Sequence, residues 1–321
     1  MWHKPRRVAT IFLLSSLAGA LSIGAAAASA QATKPVAKPV ATLVANPSRT
    51  AVLNQADVVG SEVCATCHAA ESSSIGASPH AKMELLHGGK GVTCENCHGA
   101  GKAHVESGGD PSKIFKFGAA TSKEASATCL TCHAGAHPDF ERSPHAKAGV
   151  SCISCHSVHN SGKAPEAEAS LLKEEQPKLC FSCHAETKGS FSQPFHHKVE
   201  EGLVKCSDCH DVHGTFGNNN IRSTADNNAI CTKCHTETRG PFVFEHAAVK
   251  SEGCMGCHTP HGSQNARLLN VPHINQLCNS CHSPVSGSTV HGMNAGSADV
   301  TPCISCHTMI HGSNINPAFI R

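Results

Sequence analysis

Two cysteines separated by two residues and followed directly by a histidine occur ten times in this chain of 321 residues, and the ten motifs use all 20 cysteines. The pattern C-x-x-C-H is the signature of covalent haem attachment. The two thiols form thioethers with the vinyl groups of one haem, and the adjacent imidazole is then placed to bind the haem iron. A single match is only moderately specific. Ten matches that leave no cysteine unused predict ten covalent haem c groups.

Each motif therefore supplies two thioether cysteines and one proximal iron ligand. The predicted thioether residues are Cys64, Cys67, Cys94, Cys97, Cys129, Cys132, Cys152, Cys155, Cys180, Cys183, Cys206, Cys209, Cys231, Cys234, Cys254, Cys257, Cys278, Cys281, Cys303 and Cys306. The predicted proximal ligands are His68, His98, His133, His156, His184, His210, His235, His258, His282 and His307.

The motifs alternate between two kinds, which indicates an internal repeat. Most even-numbered motifs carry a further histidine soon after the C-x-x-C-H, and the odd-numbered motifs do not. Successive odd motifs start 65, 51, 51 and 47 residues apart. The repeating unit is a two-haem module present five times, at about 58–115, 116–165, 166–218, 219–267 and 268–321.

The repeat also selects ligands for the opposite face of each iron. Four methionines follow residue 30, too few for ten irons, whereas fourteen histidines remain after His3 and the proximal residues are set aside. Each module has one histidine between its motifs and one after its even motif, which predicts ten distal ligands. They are His80, His145, His197, His246 and His291 between motifs, and His104, His159, His213, His261 and His311 after them.

Four histidines fall outside this scheme and are interpreted as surface residues: His87, His137, His196 and His273. Two choices stay open, because His87 competes with His80 and His196 competes with His197. Three distal candidates, His159, His213 and His261, follow a proximal histidine by only three residues. A connection so short cannot pass the porphyrin edge, so we expect each to bind the iron of a different haem. The spacing leaves open which haem that is.

The composition predicts a fold built around cofactors. The chain has no tyrosine, one tryptophan and 4% aromatic residues, which is little bulky material for an ordinary core. Frequent Gly, Pro, Ser and Asn favour loops over long helices. We expect a mostly irregular multihaem cytochrome c with short α-helices, little or no β-structure and an elongated array of five two-haem modules. One longer helix is predicted at Ala164–Glu175.

The N-terminal residues predict export. Lys4, Arg6 and Arg7 precede an uncharged apolar run that ends in Ala28-Ser29-Ala30, a small-x-small cleavage site. We therefore expect a signal peptide at 1–30; the alternative is an uncleaved membrane anchor. An Ala/Pro/Lys-rich linker follows at 31–57, and the decahaem domain covers 58–321. Beyond residue 30 the chain has 23 Lys and Arg against 24 Asp and Glu, and haem propionates would add negative charge, so no nucleic-acid partner is expected.

Three other kinds of protein share parts of this pattern. Zinc ribbons use C-x-x-C pairs but do not require a histidine after each pair. A disulfide scaffold suits an exported chain but gives no reason for the histidines. A multihaem reductase needs one iron with an open position, whereas the histidine count is sufficient for all ten irons. These features favour electron transfer, with an electron store or a reductase with one open haem as alternatives.

Parts of the sequence are similar to the DmsE/MtrA-type decahaem cytochromes. They are Arg239-Gly-Pro-Phe-Val-Phe-Glu-His246-Ala, Cys254-Met-Gly-Cys-His-Thr-Pro-His261-Gly-Ser and Ile310-His311-Gly-Ser-Asn, within the ten-motif order of residues 58–321. The resemblance implies a periplasmic cytochrome inserted in an outer-membrane β-barrel (porin-like) partner. It would exchange electrons with periplasmic or extracellular multihaem cytochromes or quinol-linked donors, and with acceptors or donors such as metal oxides. A freely diffusing periplasmic carrier is the alternative, and the direction of electron flow stays open.

Overall fold

The computed structural model describes residues 53–81, 92–159, 170–215, 217–222, 226, 228–282 and 301–321. Contacts divide the chain after Leu43, and every described residue belongs to the second unit, Val44–Arg321. The predicted signal peptide, His87 and His291 lie outside the described residues, as does nearly all of the predicted linker.

Short helices make up the regular structure of these residues. The α-helices are Ser61–Ala65, Ala69–Ala77, Cys94–His98, Lys102–Glu106, Ser122–His133, Pro144–Lys147, Cys152–Cys155, Lys178–Phe181, Ala185–Phe191, Cys206–Cys209, Ala247–Ser251 and Ile274–Asn279. The 3₁₀ helices are Gln55–Asp57, Pro111–Lys113, Phe117–Ala119, Phe140–Arg142, Asn218–Asn220, Cys231–Lys233, Thr236–Thr238, Cys254–Gly256, Ala266–Leu268 and Cys303–Ser305. β-Structure in the described ranges is confined to isolated antiparallel bridges. The predicted class, short helices with little β-structure, is confirmed.

The predicted helix Ala164–Glu175 is wrong over residues 171–175, which form turns, bends and one bridge. Leu171 has a φ of 56°, a left-handed conformation that cannot continue an α-helix. Leu172 pairs with His156 in an antiparallel bridge instead. The tertiary contact with the fourth motif thus overrides the local helix propensity. Residues 164–169 lie outside the described residues.

Each haem motif folds as one helical turn. In eight motifs the histidine N–H donates to the carbonyl of the first cysteine at 2.9–3.0 Å, and the other two motifs lie entirely within the helices Cys94–His98 and Ser122–His133. This i→i−4 bond places both thiols and the imidazole on one short arc of backbone. The motif therefore presents three haem-binding groups with little help from the rest of the fold.

Odd and even motifs stabilise this turn differently. In four odd motifs the hydroxyl before the second cysteine donates to the carbonyl three residues earlier at 2.7 Å, namely Thr66 to Val63, Thr131 to Thr128, Ser182 to Leu179 and Ser280 to Leu277. In three even motifs the equivalent side chain accepts from the N–H before the first cysteine, namely Asn96 from Thr93, Ser154 from Ser151 and Asp208 from Lys205. These three even motifs thus begin at a capped N-terminus, whereas the four odd motifs continue a helix that begins before their first cysteine.

The two motifs of a module are joined by a polar side chain that lies three residues before the odd motif. Asn228 accepts from the N–H of Cys254 at 2.8 Å, and Asn275 accepts from the N–H of Cys303 at 2.8 Å. Ser61 makes the equivalent bond with Cys94 at 3.3 Å. Each of these side chains caps the start of the even-motif turn.

The hydrophobic core is small. Its buried members among the described residues are Phe115, Ala125, Phe140, Leu171, Phe191 and Val199. So few buried side chains contribute little of the hydrophobic free energy that a domain of this length needs. The scarcity agrees with the expectation that cofactors supply much of the interior.

One buried charge organises the N-terminal module. Glu95, between the cysteines of the second motif, is 1% exposed. Its carboxylate accepts from the N–H groups of Val59, Gly60 and Gly101 at 3.0, 3.0 and 2.8 Å. These bonds fasten the segment before the first motif to the second motif. They also satisfy a charge that would be costly to bury alone.

Replacing Glu95 with alanine leaves one buried N–H donor, that of Gly101, and two partly buried ones, those of Val59 and Gly60, without their acceptor. The variant should lose about 2–4 kcal/mol of local stability, since one unsatisfied buried donor costs about 1–3 kcal/mol. Hydrogen exchange of the holoprotein, read at Val59, Gly60 and Gly101, measures this loss. E62A, which removes an exposed carboxylate in the same module, is the control; equal exchange in both variants would contradict the role of Glu95.

Candidate haem-binding sites

Motif histidines face second histidines at a uniform distance. Nine such pairs have ring centroids 6.0–6.4 Å apart: His68 with His104, His80 with His133, His98 with His159, His145 with His184, His156 with His213, His197 with His235, His210 with His261, His246 with His282, and His258 with His311. A metal ion between two opposed imidazoles lies about 2 Å from each nitrogen, which puts the centroids about 6 Å apart. The spacing fits one iron between each pair of rings.

Most of the pairs join neighbouring modules, in a regular pattern. The histidine between the motifs of one module faces the odd motif of the next, as His197 faces His235. The histidine after an even motif faces the even motif of the preceding module, as His213 faces His156. The first module has the exception, because His104 faces His68 within it. Interior modules therefore exchange one histidine forward and one backward.

The histidines that the sequence left ambiguous occupy distinct positions. His197 pairs with His235, whereas His196 bonds to the Gln193 carbonyl and lies 3.2 Å from the Glu201 carboxylate. His80 lies opposite His133. Its competitor His87, and the predicted ligand His291, fall outside the described residues.

Only one of the histidines interpreted as surface residues is exposed in the described ranges, namely His273. His137 is half-buried, with its ring 3.9 Å from that of His213, too close for an intervening metal. His137 also lies 6.4 Å from His133, but it follows one helical turn later, so the two rings are side by side. His196 is half-buried as well. His137 and His196 are thus only partly exposed, and neither is a member of the nine pairs.

The second nitrogen of each even-motif histidine is held by a backbone carbonyl. Nδ1 of His98, His156, His210 and His258 lies 2.8–3.0 Å from the carbonyl oxygens of Phe115, Ser170, Asn219 and Arg267. His307 makes the same contact with Ala318. A bond at Nδ1 fixes the tautomer and orients Nε2 for a metal.

Left-handed backbone presents these carbonyls. Leu171, Asn219, Arg267 and Phe319, at or just after the acceptor residues, have φ values of 54–60°. Such values are uncommon for residues other than glycine, and the strain persists only where surrounding contacts enforce it. The sequence carries no signal for these turns, because the left-handed positions are not glycines, the residue that usually marks such a turn.

Carbonyls also hold the histidines that lie between motifs, and here the bond crosses from one module to the next. His145 Nδ1 lies 3.0 Å from the Val212 carbonyl, and His197 Nδ1 lies 2.6 Å from that of Pro260. His246 bonds in the same way to the carbonyl of Ile310. Each acceptor residue immediately precedes a histidine that follows an even motif, namely His213, His261 or His311. The same backbone segment therefore makes both contacts between the two modules.

A glycine after three of the paired histidines permits this close approach. A Cβ at Gly262 would lie 1.9 Å from the carbonyl oxygen of Ser190. A Cβ at Gly214 would lie 2.9 Å from the Asp139 carbonyl oxygen, and one at Gly312 would lie 2.1 Å from the Phe242 ring. Two-way backbone bonds fix the adjoining contacts, Phe195 with Ser263 and Phe244 with Ser313. The His-Gly pairs thus form the inter-module joints.

Cysteines of successive motifs are neighbours along the whole chain. Within each module the two first cysteines form a side-chain hydrogen bond, in the pairs Cys64–Cys94, Cys129–Cys152, Cys180–Cys206, Cys231–Cys254 and Cys278–Cys303. Between modules the second cysteine of an even motif interacts electrostatically with the next odd motif, in the pairs Cys97–Cys129, Cys155–Cys183, Cys209–Cys234 and Cys257–Cys281. The ten motifs therefore follow one another in space in their sequence order.

Known proteins share this motif organisation. Residues 144–189, 196–240 and 246–287 match the family described as "Doubled CXXCH motif", and residues 28–99 match "Cytochrome c554 and c-prime". The multihaem cytochrome MtrA of Shewanella baltica is 31% identical over 275 residues, which cover 79% of this chain and 79% of that protein. The chain belongs to the MtrA-type multihaem cytochromes. Haem c attachment and a role in electron transfer follow from this membership.

Two longer proteins are more distantly similar to this MtrA-type cytochrome. The C-type polyhaem cytochrome OmcC of Geobacter sulfurreducens is 25% identical over 78% of the chain, which spans 37% of the OmcC length. The dissimilatory sulfite reductase MccA of Wolinella succinogenes is 27% identical over 61% of the chain, which spans 22% of the MccA length.

Burial favours neutral imidazoles in this MtrA-type cytochrome. Burial first, and then the neighbouring His137 and His156, lower the pKa of His213 to about 4. Burial is also the main cause of the lowered pKa values of His80, His246, His261 and His311. Neutral imidazole is the form that ligates a metal.

The surroundings of these rings include one sizeable cavity. A cavity of about 730 Å³ borders His213 and is lined by Asp211, Arg222 and the segment from Ala136 to Asp139. The described residues contain no group of three or more His, Cys, Asp or Glu arranged to hold a bare metal ion. None of the helices in the described ranges is long and apolar enough to span a membrane.

Gly262→Ala tests the inter-module joint. The new methyl group overlaps the Ser190 carbonyl, so the backbone must shift and the Phe195–Ser263 bridge must open. Overpacking of this kind costs about 1–3 kcal/mol, and a backbone clash costs more. Thermal unfolding of the holoprotein should show a lowered midpoint. G189A is the matched control, because a Cβ at Gly189 meets nothing within 4 Å; similar midpoints in both variants would contradict the joint.

Proposed function

We propose that this MtrA-type cytochrome carries ten haem c groups, each ligated by two histidines, and conducts electrons along them between the periplasm and the cell exterior. The observation that carries the proposal is the set of nine opposed histidine pairs. With both axial positions filled, an iron exchanges electrons but has no position for a substrate. The haems supply reversible one-electron chemistry; the chain spaces them, shields them and sets their potentials.

The pairs assign a distal ligand to nine motifs. His104, His159, His80, His213, His145, His261, His197, His311 and His246 serve the haems of the first to the ninth motif in that order. His291 is then the one predicted ligand left for His307 of the tenth motif. In this assignment no interior module completes its own haems, because both distal ligands come from its neighbours.

The unbroken series of cysteine contacts supports conduction. Thioether sulfurs lie at the edge of the porphyrin, so adjacent cysteines bring the edges of successive haems together. Nine such contacts connect the ten motifs without a gap. A series of this kind suits a conductor, and an electron store would use the same proximity.

The proposed location rests on the relatives and on the N-terminal sequence. The 31% identity with MtrA covers most of both chains, and the family resemblance implies insertion into an outer-membrane β-barrel. A signal peptide at 1–30 would export the chain for this assembly. Partners on either side would be periplasmic and extracellular multihaem cytochromes or quinol-linked donors.

His261→Ala tests the ligation. Mass spectrometry of the variant should still show ten attached haems. The absorption and EPR spectra should show that one haem has changed from low-spin to high-spin. H273A is the control, because His273 is exposed and outside the pairs; it should leave every haem low-spin. A high-spin haem in the unmodified protein would instead favour the reductase alternative.

Double variants test which histidines share an iron. H210A/H261A removes both members of one pair, so one low-spin haem should be lost. H258A/H261A removes members of two pairs, so two should be lost. The count holds whether a variant site loses its haem or only its ligand. Loss of two low-spin haems in H210A/H261A and of one in H258A/H261A would contradict the pairing of His261 with His210.

Reconstitution tests the conduit. The chain should co-purify with a β-barrel protein from detergent-solubilised outer membranes. Vesicles that hold both proteins should pass electrons from an impermeant external reductant to a dye trapped inside, and vesicles with the chain alone should not. Recovery of the chain only from the periplasmic fraction, without a barrel, would identify it as a diffusing carrier.

A further inference from the structure

The histidine pairs at the third, fifth and seventh motifs are equivalent in the repeat but differ in their surroundings. At the fifth motif, the proximal His184 has the Glu186 carboxylate 3.6 Å from its Nδ1. The opposed His145 has its Nδ1 3.0 Å from the Val212 carbonyl oxygen. Negative or acceptor groups therefore lie behind both imidazoles of this pair.

The seventh motif repeats this arrangement. Glu237 lies 3.6 Å from Nδ1 of His235, and the Pro260 carbonyl lies 2.6 Å from Nδ1 of His197. Both carboxylates stand two residues after the motif histidine, in His-Ala-Glu and His-Thr-Glu.

The third motif has neither feature. The residue two after His133 is Gly135, which brings no carboxylate. Nδ1 of the opposed His80 is buried and has no hydrogen-bond partner. Burial and the ring of His133 are the influences that act on His80, and no acidic group is among them. This pair is thus the one with the least negative surroundings of the three.

These differences act on the reduction potential. An acceptor at Nδ1 makes the imidazole a stronger donor, which stabilises the ferric over the ferrous state and lowers the potential. A carboxylate close to the same ring adds in the same direction, because it interacts favourably with the more positive oxidised iron centre. The haem between His133 and His80 has neither an acceptor at Nδ1 of His80 nor a carboxylate beside His133, so it is the easiest of the three to reduce.

We propose that the haem of the third motif has the most positive potential of these three haems, and that Glu186 and Glu237 are positioning residues that keep the other two lower. The inference rests on the proposed function, since it requires these pairs to ligate iron. Among these three haems an electron would then rest at that of the third motif, and its transfer to the fifth or seventh would be uphill.

Gly135→Glu supplies the missing carboxylate. A side chain fits there, because a Cβ at Gly135 meets nothing within 4 Å. Gly135→Ala at the same position is the control without charge. Glu186→Gln and Glu237→Gln remove the carboxylates at the fifth and seventh motifs. None of these positions is a predicted haem ligand.

The measurement is a stepwise redox titration of the holoprotein followed by NMR. The resonances that each variant perturbs identify the third, fifth and seventh haems. The order in which these resonances shift during stepwise reduction gives the order of the three reduction potentials. In the unmodified protein the third haem should reduce before the other two. G135E should shift it to lower potential relative to G135A, and E186Q and E237Q should raise the haems they adjoin.

Two outcomes overturn the inference: the third haem reducing together with or after the other two, or G135E behaving as G135A does. The number of haems and their spin states, recorded on the same samples, distinguish a failure of this inference from a failure of the proposed function. Fewer than ten haems, or a high-spin haem in the unmodified protein, would count against the proposed function. Ten low-spin haems in a different order would overturn only the inference about potentials.

Discussion

The exchange of histidines between neighbouring modules is the constraint on which the rest of this structure depends. An interior module gives one imidazole to the module after it and one to the module before it, and its own motif histidines face residues from those neighbours. A single module therefore cannot assemble its paired rings alone. The arrangement resembles other repeat proteins in that each unit is completed by its neighbours, although here imidazole pairs replace most of the hydrophobic interface.

Several local features follow from this exchange. The backbone that carries a backward-facing histidine must lie against the preceding module, and only glycine fits at Gly262 and Gly312. The segment returning to an even motif must present a carbonyl to Nδ1, and it does so through left-handed residues such as Leu171 and Arg267. Such strain is tolerable because the bond it permits orients a ring that the fold requires.

The same contacts suit electron transfer. Under the proposed ligation, paired histidines would leave no place for substrate, and the neighbouring motifs would leave no long gap between cofactors. We expect a fold with so small a core to depend on those cofactors for stability, which would couple haem attachment to folding. The histidines between motifs His145 and His197 have carbonyl acceptors at Nδ1, whereas the equivalent His80 of the longer first module has none, and its electronic environment differs accordingly.

The sequence by itself determined the chemistry and the repeat. Ten C-x-x-C-H motifs, the alternation of two motif kinds and the additional histidine in each kind were readable because they are local patterns with fixed spacing. Short helices and sparse β-structure followed from the glycine and proline content. The helix at Ala164–Glu175 failed over its described end, because Leu172 pairs with the distant His156.

Only the tertiary structure decided which histidine faces which. The choice between His196 and His197 depends on which ring reaches His235 from another module, and two adjacent residues share the same local signal. The carbonyl acceptors, the crowded glycines and the position of His137 against His213 likewise depend on segments far apart in sequence. Spacing along a chain fixes what a residue can do locally, whereas its partner is fixed by where the other modules place their backbone.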